Sequence, residues 1–480
     1  MEKDLRQFLE ELEEFGDLVR VKKKIGDGHE IYSILWELNT KGGPAVIFEN
    51  VKGYDIPIVA NIFGTWDRFG MACGFSRGKT KREYRDLFIE CMDKKNWKPP
   101  KLVKIGPCKE IIIKGEDIDL RKFPIFQWHP KDGGAYITLP AVITKDSKFG
   151  VNVSIYRMML HSKDLTGIMC QIFQDIGIHF GRALKEGKKT MDCAVALGAS
   201  PAIYIAAGTK IPLKDNEFEF ASALQGGEPV QLVKCETVDI DVPANSEIIL
   251  EGEISLVERK EEGPFGEWMG YFEEAMQLPT FKVKCITHRK NPLYLMTNVG
   301  HPFSDGEKIR MMPSIANFTR MARERVTGCV DAWLPETGFN YTAIIAIKKR
   351  YPGWGKTAIY QAFSLPFVAS SANCVIIVDD DIDPSNLDEV IWSLSTRVDP
   401  AFDVILTPSI GGYALNPAAS HRFYRDISTK STDIVMCSKM GIDATLKMEG
   451  EERQRPMSIP VKPDEVILKR VQEKWKEYGF

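Results

Sequence analysis

The sequence predicts an α+β protein of three domains, and three observations carry that prediction. A chain of 480 residues with 44% hydrophobic side chains is long enough to bury several cores. From about 106 to 300 it breaks into short β-like segments punctuated by Gly, Pro and Asp. Beyond about 328, strands alternate with helical patterns, as in α/β layers.

Leu5, Phe8, Leu9, Leu12 and Phe15 recur at helical spacing and predict an opening amphipathic helix that ends near Gly16. "GGPAVIFENV" and "IPIVANIFG" read as buried strands. They complete an N-terminal α/β domain over 1–105, which closes in the Lys- and Pro-rich surface connector "KKNWKPPKLVKIG". In the next domain, 106–305, "EIIIKG", "ITLPAVIT", "AIYIAAG", "SEIILEGEIS" and "FKVKCIT" read as strands of a barrel, interrupted by one helix near 170–186. Pro313, followed by Ile315, Phe318, Met321, Ala322 and Val326, predicts a linker helix over 306–327 with proline near its start. The last domain, 328–480, holds the strands "YTAIIAIKKR" and "NCVIIVDDDI" and the helix "NLDEVIWSLSTRV". Its terminal helix carries Ile467, Leu468, Val471 and Trp475 on one face, a stripe for packing on its own domain or on another subunit.

Composition excludes several function classes. Lys plus Arg number 63 against 66 Asp plus Glu, so a net charge of -3 offers no broad basic field for nucleic acid. No apolar run approaches a membrane span, and the charged opening lacks a secretory signal, so a cytoplasmic protein is expected. The closest of the ten cysteines, Cys91 and Cys108, are 17 positions apart; without a CxxC pair they read as reduced, mostly buried thiols.

Chemistry concentrates in a few stretches. "EEGPFGE" holds Glu262 and Glu267 on either side of a turn that Pro264, Gly263 and Gly266 keep from being helical, so the two acids need a partner from elsewhere. "GVNVSIYRM" puts Asn152 and Arg157 on opposite faces of a regular strand, so a site shared by both requires a bulge or a large cofactor between them. Arginine clamps carboxylates through its planar fork, yet a lone strand arginine is more often an ion-pair residue. Asn152, His179 and Glu217 are suitable ligand types for manganese or magnesium, but their spacing is not a metal motif, and alone they favour a core histidine and a solvated glutamate. The run Asp379, Asp380, Asp381 and Asp383 favours a structural role at a helix start over a magnesium site. "DGGAYIT" reads as a glycine turn entering a strand, and His301 and Arg310 are candidate anchors for an anion.

In their order and spacing, "DGGAYIT", "NVSIYR", His179, "EFEFA", "VPANSEIILEGEI", "EGPFGEWMGYF", "IWSLSTRVDP" and "SKMGIDAT" resemble the UbiD family of prenylated-flavin-dependent decarboxylases along nearly the whole chain. The resemblance implies a split β-barrel flavin domain between an N-terminal α/β region and a C-terminal α/β oligomerisation domain. It also supplies the missing partner: Arg157 is implied to lie between Glu262 and Glu267. Glu267 is then the proton donor and acceptor, Arg157 orients the substrate carboxylate, and Glu262 holds Arg157.

The implied cofactor is prenylated FMN, made by a separate flavin prenyltransferase. Its phosphate is implied to be tied down through Mn2+ (or Mg2+) on Asn152, His179 and Glu217. K+ is implied on backbone oxygens over Ala207, Gly208 and Thr209. Ser154 and Ile155 are implied to lie beside the cofactor, and Lys439 to reach its phosphate. Ile178, Trp268 and His301 are implied to shape the substrate pocket. The implied reaction is reversible, non-oxidative decarboxylation of an aromatic or α,β-unsaturated acid, with a hydroxybenzoate-type substrate favoured and CO2 as the other product. A phenyl phosphate-type carboxylase and a polyprenyl hydroxybenzoate decarboxylase are alternatives, and so is a non-catalytic flavin-binding subunit of a multi-component carboxylase. The resembling proteins form homodimers or hexamers of dimers.

Overall fold

The structure, a computed structural model, describes residues 3–171, 174–301, 303–408, 410–413, 415–419, 436–451, 461 and 463–479. The first helix, Leu5–Glu14, starts on a capping box in which Asp4 and Gln7 satisfy each other's backbone N–H groups. It buries Leu5, Phe8, Leu9 and Leu12, each contributing about 1.5–3 kcal/mol of apolar transfer. Phe15, expected on the same face, lies just past the helix end and is 57% exposed.

The adjoining sheet orders Leu18–Val21, Ala45–Phe48, Ile58–Ala60 and Tyr294–Leu295. Its last strand returns from the far end of the barrel segment. The N-terminal layer and the barrel are thus tied together at the sheet level.

The central sheet has nine strands. Its path runs Tyr136–Ile137, Met158–Ser162, Leu165–Gly167, Met276–His288, Ile248–Glu262, Thr190–Leu197, Ala141–Asp146, Gly150–Ile155, with Ile111–Lys114 added beside Met276–His288. Gly150–Ile155 and Met158–Ser162 lie near opposite ends of this path, yet only Tyr156 and Arg157 separate them in the chain. The sheet must therefore curl until its ends meet, and the seam is left unpaired. Alternation places Ala141, Ile143, Ala194 and Ala196 in one core and Val142, Cys193, Val195 and Leu197 in the other, on the two sides of the curled sheet.

The strands Ile248–Glu262 and Met276–His288 slip register between Ile254 and Arg259 and run on to the pair Glu262–Met276. That extension carries the Glu262 loop to the seam.

Two elements differ from the sequence reading. Ala202–Gly208, expected as a strand, is the helix Pro201–Ala207 with Gly208 at its C-cap; proline in the first turn outweighs the β-favouring Ile and Tyr. The linker helix spans Asp305–Arg325 and starts on a Ser304–Glu307 capping box, so Pro313 lies inside it and not near its start. Proline removes the donor for Ile309 O. That carbonyl packs so closely on Gly208 that a Cβ there would approach it to 2.9 Å.

In the C-terminal sheet, strands Cys329–Trp333, Thr342–Ile347, Cys374–Asp379, Met440–Ala444 and Val404–Leu406 follow in that order. Arg397 grips Asp379 and Asp381 at 2.8 and 2.9 Å, which makes the aspartate run an ion-pair anchor. Ile467, Leu468 and Trp475 of the terminal helix region are 51%, 40% and 51% exposed in the single chain. No disulfide joins any of the ten cysteines, and among the described residues no helix is long and apolar enough to cross a membrane.

Candidate active site

Arg157 lies in the seam, beyond the end of the Gly150–Ile155 strand. The strict alternation that set Arg157 and Asn152 on opposite faces therefore stops before it is reached. Its Nε donates to Glu262 at 3.0 Å, and its Nη1 donates to Glu267 and, at 3.2 Å, to Glu273. The guanidinium also stacks 4.6 Å from the Phe265 ring centre. Arg157, Glu262 and Glu267 are all buried, and Nη2 of Arg157 has no partner. Leaving such a donor unmet costs about 1–3 kcal/mol. A carboxylate in the adjacent cleft would meet it.

Burial pushes Glu262 up, against the pull of Arg157. Burial also works against charge on Arg157, but Glu262 and Glu273 outweigh it and the guanidinium stays protonated. Several acids around one buried cation compete for it, and each disfavours ionisation of the others.

The loop is held from below by the Asp132–Gly133–Gly134 turn. Gly133 N donates to Pro264 O at 2.7 Å, and Asp132 accepts from His129 N and Gly266 N. A Cβ on Gly133 would sit 1.9 Å from Gly263 O, so only glycine permits this approach. Gly263 itself has φ 103°, while Gly266 lies in a short strand.

A second polar group lies one ladder away. Thr144 pairs with Asn152 across two strands, its hydroxyl lies 2.9 Å from Nδ1 of His179, and Glu217 accepts from Val153 N at 3.0 Å. Asn152, His179 and Glu217 therefore converge on one short stretch of strand. All three are buried, which corrects the reading of Glu217 as solvated. Both amide atoms of Asn152 and Nε2 of His179 lack partners. Burial lowers His179, keeping the ring neutral, and raises Glu217 to about 8. One amide oxygen, one imidazole nitrogen and one carboxylate suit a hard or borderline divalent cation. Among the described residues no group of three or more His, Cys, Asp and Glu side chains forms a metal cluster, so the asparagine is needed to complete the set.

Ser154 Oγ donates to Ala207 O at 3.1 Å, which brings the end of the Pro201–Ala207 helix, with Gly208 and Thr209, against the same strand. The carbonyls at that end carry the negative pole of the helix.

Beside these groups opens a cleft of ≈ 770 Å³ counted to its solvent mouth. Ile155, Arg157, Glu267 and Trp268 line it, together with Arg310 and Tyr413. Other assigned residues lie elsewhere. His301 lines a neighbouring cavity that shares Glu267 with the cleft, and Ile178 lines neither. Gln171 and Gln174, from the segment before the Asp175–Lys185 helix, occupy the place assigned to Ile178. Lys439 is not brought to the site: its Nζ is buried against the carbonyls of Val368 and Ala372, both at 2.6 Å, in the C-terminal domain. Glu273 was not anticipated. The hairpin register, which the sequence does not show, sets it directly across from Phe265.

A split barrel with an arginine held among acids at its seam defines a carboxy-lyase of the UbiD class. Matches to the 3-octaprenyl-4-hydroxybenzoate carboxy-lyase N-terminal domain, Rift-related domain and C-terminal domain cover residues 9–88, 101–302 and 311–444. The chain belongs to this UbiD family.

Vanillic acid decarboxylase of Sedimentibacter hydroxybenzoicus, in open form, is 32% identical with a TM-score of 0.86, covering 99% of both chains. The UbiD-class enzyme HmfF of Pelotomaculum thermopropionicum, in complex with FMN, is 33% identical with a TM-score of 0.81, covering 95% of this chain and 97% of its own. An evolved dimeric form of HmfF is in complex with prFMN. An uncharacterised protein of Synechocystis sp. is 34% identical over 100% of this chain and 97% of its own length.

Proposed function

We propose that this UbiD-type carboxy-lyase is a reversible, prenylated-FMN-dependent decarboxylase of an aromatic acid of the hydroxybenzoate type. The observation that carries the reading is the Arg157 guanidinium, buried among carboxylates with Nη2 unpartnered in a cleft walled by Phe265, Trp268 and Tyr413. The similarity to vanillic acid decarboxylase over the whole chain supports the substrate class, and HmfF with prFMN supports the cofactor.

When bound, prenylated FMN supplies the electron sink that decarboxylation at an unsaturated carbon demands and no standard side chain provides. Asn152, His179 and Glu217 would hold its phosphate through Mn2+ or Mg2+, and the Ala207–Thr209 carbonyls would hold K+. Ser154 and Ile155 would flank it.

Arg157 Nη2 orients the substrate carboxylate, and Glu262 keeps the guanidinium from rotating by holding Nε. Glu267, protonated, delivers its proton to the carbon that has lost CO2, and in the reverse direction it takes that proton back. Trp268, Phe265, Tyr413 and Leu415 exclude water from the transfer. Gln171 Nε2, buried and unpartnered at the cleft, offers a donor to a ring hydroxyl. The intact acid–arginine group argues against a non-catalytic subunit. The exposed stripe on the terminal helix fits a homodimer or hexamer.

The test is a panel of benzoates, cinnamates and heteroaromatic acids offered to holoenzyme co-produced with a flavin prenyltransferase. Turnover of hydroxybenzoates is expected; turnover of cinnamates alone defeats the substrate assignment.

A further inference from the structure

Three carboxylates, not two, converge on one guanidinium. Nη1 of Arg157 is shared between Glu267 and Glu273 while Nε is held by Glu262. Glu273 stands opposite Phe265 in the short ladder Phe265–Gly266 with Phe272–Glu273. The hairpin that carries Glu267 in its turn therefore carries Glu273 on its returning strand, and both acids reach the same nitrogen from one element. The side chain of Glu273 is 10% exposed, so its charge is poorly screened.

We propose that Glu273 is a positioning residue for proton transfer: it keeps Arg157 seated when Glu267 turns away to deliver its proton. This rests on the decarboxylase reading above. In that step the bond to CO2 breaks, and the electron pair left on the ring carbon forms a C–H bond with the Glu267 proton. Glu267 is left as a carboxylate and recovers a proton from solvent. A guanidinium held at Nη1 by Glu267 alone would lose its anchor on that side at the moment of transfer. With Glu273 on the same nitrogen, the guanidinium stays in place through the transfer, ready to orient the carboxylate of the next substrate.

The arrangement also disfavours ionising all three acids at once. Ionised together, Glu262, Glu267 and Glu273 would leave an excess of negative charge on one buried cation, so one of them retains a proton. The surrounding groups do not relieve this. Tyr136 and Tyr413 are phenols raised by burial, Asp132 is an acid, and His129 packs on Phe272. Arg310 is the remaining arginine of the cleft, and its Nη2 lies 3.4 Å from Ile155 O.

The experiment compares Glu273→Gln and Glu273→Asp with wild type. In holoenzyme, Glu273→Gln is expected to lower kcat about tenfold while KM stays within about threefold, and Glu273→Asp, which keeps the charge, to recover most of kcat. In cofactor-free protein at neutral pH, Glu273→Gln is expected to weaken the infrared band of protonated carboxyls; Glu217 and Glu307, buried elsewhere, contribute equally to both proteins. A kcat within twofold of wild type overturns the proposal. So does a rise in KM alone, an unchanged carboxyl band, or a Glu273→Asp variant no better than Glu273→Gln. Loss of the fold in Glu273→Gln would assign Glu273 a structural role and overturn it too. Wild-type holoenzyme that turns over no acid of the panel defeats the decarboxylase reading instead, and the infrared comparison then decides the role of Glu273 by itself.

Discussion

Thr144 Oγ1 lies 2.9 Å from Nδ1 of His179, directly across the strand ladder from Asn152. That contact occupies one ring nitrogen and leaves Nε2 as the unpartnered one. An outer hydrogen bond of this kind fixes ring orientation and is worth about 10–100-fold in metal affinity. Thr144→Val should accordingly weaken Mn2+ binding by about tenfold or more in titration calorimetry. Unchanged affinity would remove His179 from the metal set.

Glu217 gives a pH dependence with a definite sign. Burial raises it from 4.5 to about 8, so the folded metal-free protein holds a proton there that the unfolded chain has lost. Wherever the native state binds more protons, stability falls as pH rises. Glu307, raised by burial to about 7, acts in the same direction. Denaturant unfolding of metal-free protein should therefore show a contribution that is lost as pH rises from about 5 to about 8, and Glu217→Gln should flatten that slope. An identical slope in the variant would count against a buried, protonated Glu217.

Gly133→Ala tests the support under the catalytic loop. The added methyl meets Gly263 O at a distance no real contact allows, so the turn must move. Overpacking of this kind costs about 1–3 kcal/mol. Activity should fall together with stability, since the displaced residues adjoin Glu262; a variant with wild-type stability would show that the turn yields freely.

Lys439 distinguishes two assignments. Its ammonium bonds the carbonyls of Val368 and Ala372, so Lys439→Met should lower unfolding free energy by about 1–3 kcal/mol and leave FMN affinity unchanged. A tenfold loss of FMN affinity at wild-type stability would instead return Lys439 to the cofactor phosphate.

Much of this site was legible because its residues lie in short motifs whose chemistry needs a partner. Glu262 and Glu267 flank a turn too rigid to pair them with each other, and the family resemblance named Arg157 as what they hold. What stayed hidden depends on pairing between segments. Glu273 and Glu274 are indistinguishable as letters, and only the hairpin register turns the first toward Arg157. Ile178 was misjudged because the helix begins at Asp175, so Gln171 and Gln174 of the preceding segment line the cleft instead. Ala202–Gly208 carries strand-favouring residues whose helical state is decided by Pro201 and by packing against the linker helix, where Gly208 meets Ile309. The metal-type ligands, spread from 152 to 217, become a group only through the Thr144–Asn152 pairing and the Val153–Glu217 hydrogen bond.

The most direct measurement is deuterium exchange at the product carbon in holoenzyme carrying Glu267→Gln. The account predicts that the variant binds flavin as wild type does, while exchange and decarboxylation both fall by about a hundredfold or more. Exchange at the wild-type rate in that variant would contradict it.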